Sequence, residues 1–321
     1  MYKTLITLSF FAATSVSALA QYKIEPLTLY RPRIAEFAVE TINDYRTNGS
    51  SELLGEAGRE IERDRLYKIK LGAPLMIKSD RILGIQLKYY QQRFRFDMDD
   101  QPLAYDFFEH LDSRKFTSTG LRGIYQQDIG DNQKLTLLAG AELMSDELQW
   151  RWQTTKYFLS GIYFWQLSRN TKLGAGLVYN HVMGRPTFYP LFTFEKHLST
   201  KWTLDLALPK SVAIRRNVND KNFIIAKTAF RGWRYNLTNA LPEGPQFLTT
   251  RKADLQFTLS WEREIHDWLW FGVDVGYTKN LRYYLANPGD RARDALIDLK
   301  SQDAMYTSIS LFIVPPRRLL K

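Results

Sequence analysis

The chain contains no cysteine. A disulfide framework, a thiolate nucleophile, a cysteine metal cluster and a lipoprotein attachment site are therefore excluded. Histidine is scarce as well, because the chain has only four, His110, His181, His197 and His266. They lie far apart, without the HxH or HExxH spacing of a metal site. The sequence therefore predicts neither a bound metal nor a cofactor.

Long apolar runs are missing after Ala20, and the mean hydropathy of the chain is -0.34. A membrane helix needs about 20 consecutive apolar residues, so a helical membrane protein is excluded. The one marked apolar run lies at the start, where Lys3 precedes residues 5–13 and small residues end in Ala18-Leu19-Ala20. This pattern is typical of a secretory signal peptide. We expect a signal peptide at residues 1–20, export, and a periplasmic N-terminal segment at residues 21–33.

Basic residues exceed acidic ones, with 44 Lys and Arg against 34 Asp and Glu, a formal charge of +10. A nucleic-acid-binding protein would gather such charges on one face to neutralise phosphates. Here they are scattered among acids along strand-like segments, and no nucleic-acid motif accompanies them. The sequence therefore predicts no nucleic-acid partner.

Apolar and polar residues alternate at period 2 through most of the chain after residue 33. Between residues 66 and 77, one face would carry Tyr67, Ile69, Leu71, Ala73, Leu75 and Ile77, and the other Lys68, Lys70, Gly72 and Pro74. The same alternation occurs at residues 253–262 and 269–278. Successive side chains of a β-strand point to opposite faces, so these segments are predicted strands.

The lengths of the segments favour a membrane barrel over a soluble sandwich. Residues 82–96, 154–167 and 249–265 are longer than the five or six residues usual in globular strands, whereas a tilted membrane strand needs about 9 to 11. Tight turns such as Ser79-Asp80 and His266-Asp267 alternate with longer connections, as in barrels with short periplasmic turns. The long connections are expected near residues 47–60, 97–115, 237–248 and 286–302.

The predicted fold is all-β, a transmembrane antiparallel up-and-down β-barrel spanning residues 34–321 with about 14 strands. The predicted strands cover residues 34–46, 62–78, 82–96, 116–129, 134–146, 154–168, 172–184, 187–198, 201–208, 211–218, 222–236, 249–265, 268–285 and 303–314. The pair beside Pro209-Lys210 is short. Without that pair the barrel has 12 strands and the same topology.

The polar face is predicted to line the lumen. A slip of one residue would turn Lys68 and Lys70 toward lipid, at a cost of roughly 2–4 kcal/mol each near the midplane. The lumen-facing candidates are Lys68, Lys70, Lys88, Arg122, Glu142, Asp205, Lys227, Arg231, Asp254, Glu262 and Asp274. With every predicted inward charge included, acids and bases nearly balance. Either paired ions close the barrel or a wet pore carries opposite charges on facing walls, and residues 21–33 are a candidate plug.

One short segment raises the alternative of a lipid-hydrolysing enzyme. Residues 179–185 resemble the Asn-His-x-Ser-Asn-Gly stretch of the outer-membrane phospholipase family around His181. Met183 stands at the serine position, and a thioether cannot attack an ester. We therefore expect no catalytic residues, with a lipid hydrolase as the alternative.

The signal peptide, Lys70-Leu71-Gly72-Ala73-Pro74-Leu75, Leu206-Ala207-Leu208-Pro209-Lys210 and the hairpin around His266-Asp267 resemble an uncharacterised outer-membrane β-barrel family of unknown function found in Bacteroidota. The resemblance implies a fold and a location in the bacterial outer membrane, without an activity. We expect either a porin-like passive channel for small solutes or a structural component of that membrane. A lipid-modifying enzyme and a periplasmic β-rich binding protein are the alternatives.

The expected partners are outer-membrane lipid and, during biogenesis, the barrel-insertion machinery. That machinery commonly reads an aromatic residue at the chain end, whereas this chain continues from Phe312 through Pro315-Pro316 to Lys321. The signal is therefore expected internally at Phe312, unless the last strand ends elsewhere. The oligomeric state stays open.

Overall fold

A computed structural model describes residues 31–51, 55–97, 107–112, 114–147, 155–180, 187–239 and 247–317. The predicted signal peptide and most of the predicted periplasmic segment lie outside these residues. Among the described residues, no helix is long and apolar enough to cross a membrane. The described helices are α1 (Phe107–Asp112) and a 3-10 turn at Ala292–Asp294.

Strands make up most of the described chain. They are β1 (Ala35–Ser51), β2 (Gly55–Ile77), β3 (Arg81–Phe96), β4 (Lys115–Gly130), β5 (Gln133–Ser145), β6 (Thr155–Ser168), β7 (Thr171–Asn180), β8 (Thr187–His197), β9 (Trp202–Leu208), β10 (Ser211–Asn219), β11 (Asn222–Thr238), β12 (Phe247–His266), β13 (Leu269–Ala286), β14 (Ile297–Ser301) and β15 (Ala304–Ile313).

The strands pair in sequence order as an antiparallel sheet that closes where β15 meets β1. β14 and β15 share one position, since both lie between β13 and β1 and only Gln302-Asp303 separates them. The described residues therefore form a closed barrel with 14 strand positions. The predicted 14-strand barrel is confirmed, and the short pair β9 and β10 belongs to its wall.

The wall is much lower on one side, at the end that carries the long connections. The last pair between β10 and β11 joins Ser211 to Ala229, while β11 continues to Thr238. Above β6–β10, the ends of β5 and β11 meet directly where Ser145 pairs with Asn236. The barrel therefore narrows, because only β1–β5 and β11–β14 continue and close into a smaller ring.

We call this smaller ring the upper extension, and the 14-position part below it the lower barrel. Hydrogen bonds between residues 144–146, at the end of β5, and residues 236–238 of β11 form the seam of the extension. The side-chain amide of Asn236 donates to the Met144 carbonyl oxygen at 2.9 Å. The Asp146 carboxylate accepts from the backbone N–H of Thr238 at 3.0 Å and pairs with Arg114.

The largest hydrophobic core fills the upper extension. Its aromatic members are in contact, with ring centroids 5.6 Å apart for Phe94 and Phe116 and 5.2 Å apart for Trp233 and Tyr235. The buried side chains of this core are Ile42, Tyr45, Ile61, Phe94, Phe96, Phe108, Leu111, Phe116, Met144, Trp233, Tyr235, Leu237, Leu248, Tyr283, Leu285, Ile297, Leu299, Ala304 and Tyr306. The extension is therefore packed like a small soluble domain and has a dry interior.

Several of the predicted long connections are wrong in part, because the chain there forms secondary structure of the upper extension. β1 runs to Ser51 and β2 starts at Gly55, so most of the connection predicted near residues 47–60 is paired strand. The segment 286–302 contains β14, and α1 lies within 97–115. These strand segments have polar outer faces because they extend above the apolar band, and this made them resemble loops.

The outer surface of the lower barrel carries an apolar band. Leu71, Leu87 and Leu121 form one row across β2, β3 and β4, and each is about half exposed. On the same face of β2 the residues change to charged ones above the band, where Arg63 and Glu62 are exposed. The band ends at the level where the upper extension begins.

The lumen of the lower barrel as the candidate functional site

Strand register determines which side chains share the inner face. Lys70 pairs with Lys88, Lys88 with Gly120 and Gly120 with Glu142, so one row runs across four strands. Following the register around the barrel places all the sequence-selected residues on this face. They are Lys68 and Lys70 on β2, Lys88 on β3, Arg122 on β4, Glu142 on β5, Asp205 on β9, Lys227 and Arg231 on β11, Asp254 and Glu262 on β12, and Asp274 on β13.

The interior of the lower barrel is wet. Arg122 and Lys227 lie on the inner face, yet both are exposed, and the Asp205 side chain retains 36% of its accessible surface. An inward side chain is exposed only where the interior leaves room for water. The lower barrel therefore encloses a solvent-accessible lumen, whereas the side chains inside the upper extension are nearly all inaccessible.

A polar layer separates the lumen from the aromatic core. The buried Glu40 carboxylate accepts from Lys68 Nζ at 2.5 Å and pairs with Arg231, which reaches it from β11 across the barrel. Nearby, the Asp64 carboxylate accepts from Gln92 Nε2 at 2.7 Å and from the Tyr45 hydroxyl at 3.2 Å. These groups pair with one another through ion pairs and hydrogen bonds. The layer therefore forms the boundary between the lumen and the dry core.

Further ion pairs follow the lower wall. Glu142 accepts from Lys88 Nζ and from the Ser118 hydroxyl, both at 2.5 Å. Lys70 Nζ donates to Glu36 at 2.9 Å. Two further acids on this face, Asp205 and Asp254, lie 3.6 Å from Arg215 and 3.9 Å from Lys252. Most charges on the inner wall are thus paired locally.

The described end of the N-terminal segment also reaches the lumen. Arg33 contacts Glu36 at 3.0 Å and Glu262 at 2.5 Å, and its guanidinium lies 3.9 Å from the ring centroid of Phe312. Phe312 itself is buried beside Trp270, on the inner face. Residues 21–30 lie outside the described residues, so a plug formed by the whole segment stays a prediction.

Three inward cations differ from the paired charges. In the described part of the chain, Arg122, Lys210 and Lys227 have no ion pair and no hydrogen bond from their side chains, and Arg122 lies 4.7 Å from the ring centroid of Phe158. The charged groups that act on Lys210 are Lys227, Arg122 and Lys70, all of them cations. We call Lys70, Arg122, Lys210 and Lys227 the cation cluster, of which, within the described residues, only Lys70 is ion-paired, with Glu36.

The cation cluster lies where the low side of the wall ends. Lys210 is in the turn between β9 and β10, and its carbonyl oxygen accepts from Phe230 N at 3.0 Å, one residue above the last β10–β11 pair. The cluster therefore lies at the upper edge of the low wall, beside the upper extension. Sequence reasoning missed Lys210 because Pro209-Lys210 was interpreted only as a turn.

Within the described ranges, no serine side chain is hydrogen-bonded to His197 or His266. His197 contacts Thr203 Oγ1 at 3.0 Å, and its Nε2 lies 3.7 Å from Glu195, beside a tight turn. His181 and Met183 lie outside the described residues, and so does the side chain of His110. Within the described ranges, no group of three or more acidic or histidine side chains is arranged to hold a metal.

Residues 105–289 match the family described as Domain of unknown function (DUF6268). The chain belongs to this family. The match covers β4–β13 and more than half of the chain, so it includes the low wall and most of the cation cluster. The predicted membership of a family of unknown function is confirmed, whereas occurrence in Bacteroidota stays a prediction. The comparison with curated proteins gives no match.

Among solved structures, the chain is similar to several barrels at low identity. An outer-membrane channel of Pseudomonas putida F1 has 9% identity over 89% of this chain and 97% of that chain, with a TM-score of 0.44. The toluene transporter TodX of P. putida has 10% identity over 93% of this chain and 93% of that chain, with a TM-score of 0.37. The outer-membrane phospholipase A of Escherichia coli has 12% identity over 94% of this chain and 97% of that chain, with a TM-score of 0.36. Likeness at this level transfers neither a ligand nor a reaction to this chain.

Proposed function

We propose that the protein is an integral outer-membrane β-barrel that conducts small anionic solutes through its wet lumen. The observation that carries the proposal is the cation cluster. Arg122, Lys210 and Lys227 face water inside a barrel whose other inner charges are mostly paired. The proposal includes no enzymatic step.

The apolar band supports a membrane location. Rows such as Leu71, Leu87 and Leu121 leave large side chains about half exposed, and similar residues recur around the barrel. Soluble monomers rarely expose a contiguous apolar patch of more than a few hundred Å². Because a periplasmic binding protein would hold this band in water, the band favours lipid as its surroundings. The long connections at one end and the tight turns at the other support an orientation with the upper extension on the outside.

The path for a solute follows from the two parts of the barrel. The aromatic core closes the barrel axis in the upper extension, so a straight axial pore is absent from the described residues. Beside the extension, the wall above β6–β10 is low, and the cation cluster lies at its edge. We place the route there, between the low wall and the lumen.

The charge of the cluster selects the solute class. At 4 Å, two unit charges interact by about 1 kcal/mol in water and about 4 kcal/mol near a protein surface. Several unpaired cations beside one path attract anions and repel cations. Small carboxylates and phosphates therefore fit the path better than neutral sugars or cations do.

The test is ion selectivity in planar bilayers under a KCl gradient. We expect anion selectivity from the wild-type chain and a shift toward cations in the double variant Lys210→Glu with Lys227→Glu. Lys300→Glu is the control for a single lysine-to-glutamate exchange, because it makes that exchange on the exposed outer face of β14. The selectivity of this control should stay that of the wild type.

Three results would overturn the proposal. One is cation selectivity of the wild-type protein. The second is unchanged selectivity in the double variant. The third is the absence of any conductance from protein whose compact gel mobility before heating confirms a folded barrel.

A further inference from the structure

We infer that the upper extension carries a separate oxyanion site, built on Arg251 with Arg234 beside it, that binds a phosphate group. The site lies on the outer face of β11 and β12 and uses no residue of the cation cluster. The inference therefore stands or falls independently of the proposed conduction path.

Two arginines oppose each other directly across neighbouring strands. Arg234 on β11 pairs in register with Arg251 on β12, so their side chains share one face. Both residues are buried. Like charges directly opposite each other in a sheet are unfavourable. Among neighbouring charges, Arg251 acts most strongly on Arg234.

The environment adds further positive charge. Lys156, at the start of β6, is also buried, and the charges of Glu142 and of both arginines act on it. Tyr284 lies on the same face as Arg251, with the guanidinium 5.8 Å from its ring centroid. A buried group of cations is a position where a bound anion would be strongly stabilised.

The Arg251 guanidinium has donors left over. Its exposure is 2%, and its Nη1 donates to the Tyr284 hydroxyl at 3.2 Å and to the Asp290 carbonyl oxygen at 2.7 Å. In the described part of the chain, its Nε and Nη2 are buried without an acceptor. Nε–H and Nη2–H form one edge of the guanidinium and point the same way, which is the fork that binds a carboxylate or phosphate through two bonds.

Charge favours phosphate over carboxylate. A phosphate monoester carries close to two negative charges at neutral pH and a carboxylate carries one, so a group of buried cations attracts phosphate more strongly. The site lies above the apolar band, since Leu281 on β13 is exposed a few residues below Tyr284. Both a free phosphate and the phosphate of a lipid headgroup can reach this level.

The experiment follows heat unfolding of the full detergent-folded chain by gel mobility, with inorganic phosphate against chloride at equal ionic strength. We expect phosphate to raise the midpoint for wild type and to have no effect on Arg251→Gln. Arg282→Gln is the matched control, because Arg282 is an exposed arginine on the neighbouring strand. It should keep the wild-type response.

A second variant separates the fork from its charge. Arg251→Lys keeps the charge and loses the paired donors. If this variant folds, we expect half-maximal stabilisation to need at least a tenfold higher phosphate concentration than in wild type. It also preserves the test if Arg251→Gln does not fold. A wild-type response in Arg251→Lys would overturn the bidentate site.

A second arm distinguishes the two sources of phosphate. The folded chain is placed in vesicles that contain lipopolysaccharide with or without its phosphates. Stabilisation by free phosphate assigns a small solute, whereas stabilisation only by phosphorylated vesicles assigns a headgroup. Phosphate-dependent shifts of the midpoint that are equal in wild type and Arg251→Gln, in both arms, would contradict the site.

Discussion

The lower barrel and the upper extension are enclosed largely by the same strands, yet their interiors are opposite in character. β11 presents Lys227 and Arg231 to the lumen and, a few residues higher, Trp233, Tyr235 and Leu237 to the dry core. The number of enclosing strands explains the difference. A barrel of 14 positions is too wide for side chains to fill, whereas the smaller ring above it can be packed.

The two parts also differ in what they contribute, since the upper extension adds stability and the lower barrel contains the candidate site. The upper extension gains apolar burial and is held by a hydrogen-bonded seam, so it closes the barrel axis. The lower barrel keeps a solvent-accessible interior and unpaired cations, which cost stability and, in the proposed function, attract anionic solutes. Substitutions that exchange these properties between the two parts test the comparison.

The largest effect is expected from placing a charge in the dry core. Leu285 is fully buried in the upper extension, so Leu285→Asp should cost more than about 4 kcal/mol or prevent folding. Ala213→Asp puts the same acid on the inner face of the lower barrel, beside Lys227, and should cost less than about 1 kcal/mol. Urea unfolding in lipid vesicles measures both, and equal losses would contradict the two-part interior.

An intermediate effect is expected from the polar layer between the parts. Glu40→Gln leaves Lys68 and Arg231 without their shared carboxylate, at a cost of about 3 kcal/mol. Lys227→Gln removes an inward cation that has no ion pair and should change the free energy of unfolding by about 0.5 kcal/mol or less. If both variants lost the same amount, paired and unpaired lumen charges would not differ as described.

A smaller effect is expected at the seam. Asp146→Ala removes the acceptor for Thr238 N and the partner of Arg114, and we expect a loss of about 2 kcal/mol. Hydrogen exchange should rise at the upper ends of β5 and β11 and stay unchanged in β7. Protection that is lost evenly over the barrel would argue against a local seam.

Much of the lower barrel was predictable from the sequence, because its apolar outer face fixes the phase of the alternation. On β3, Leu87 and Tyr89 face outward and Lys88 inward, as period 2 requires. Above the band the apolar positions change phase, since Phe94 and Phe96 face inward. On β1 and β2, where the outer face above the band is polar, paired strand was mistaken for a long connection, so the upper extension was missed.

The pairing of lumen charges could not be predicted from a count of acids and bases. Arg231 meets Glu40 from a strand 191 positions away in sequence, and Lys210 enters the lumen from a turn. A near balance of totals therefore concealed a local excess of cations. Only the closed sheet brings Lys70, Arg122, Lys210 and Lys227 together.

The absence of native cysteine allows the most direct test of the central claim, that one barrel has a wet lower interior and a dry upper one. Ala213→Cys places a thiol on the inner face of the lower barrel, and Ala304→Cys places the same thiol in the upper core. With a small hydrophilic thiol reagent and folded protein, we expect rapid labelling of the first variant and labelling of the second only after unfolding. Equal labelling rates in the folded state would contradict the account.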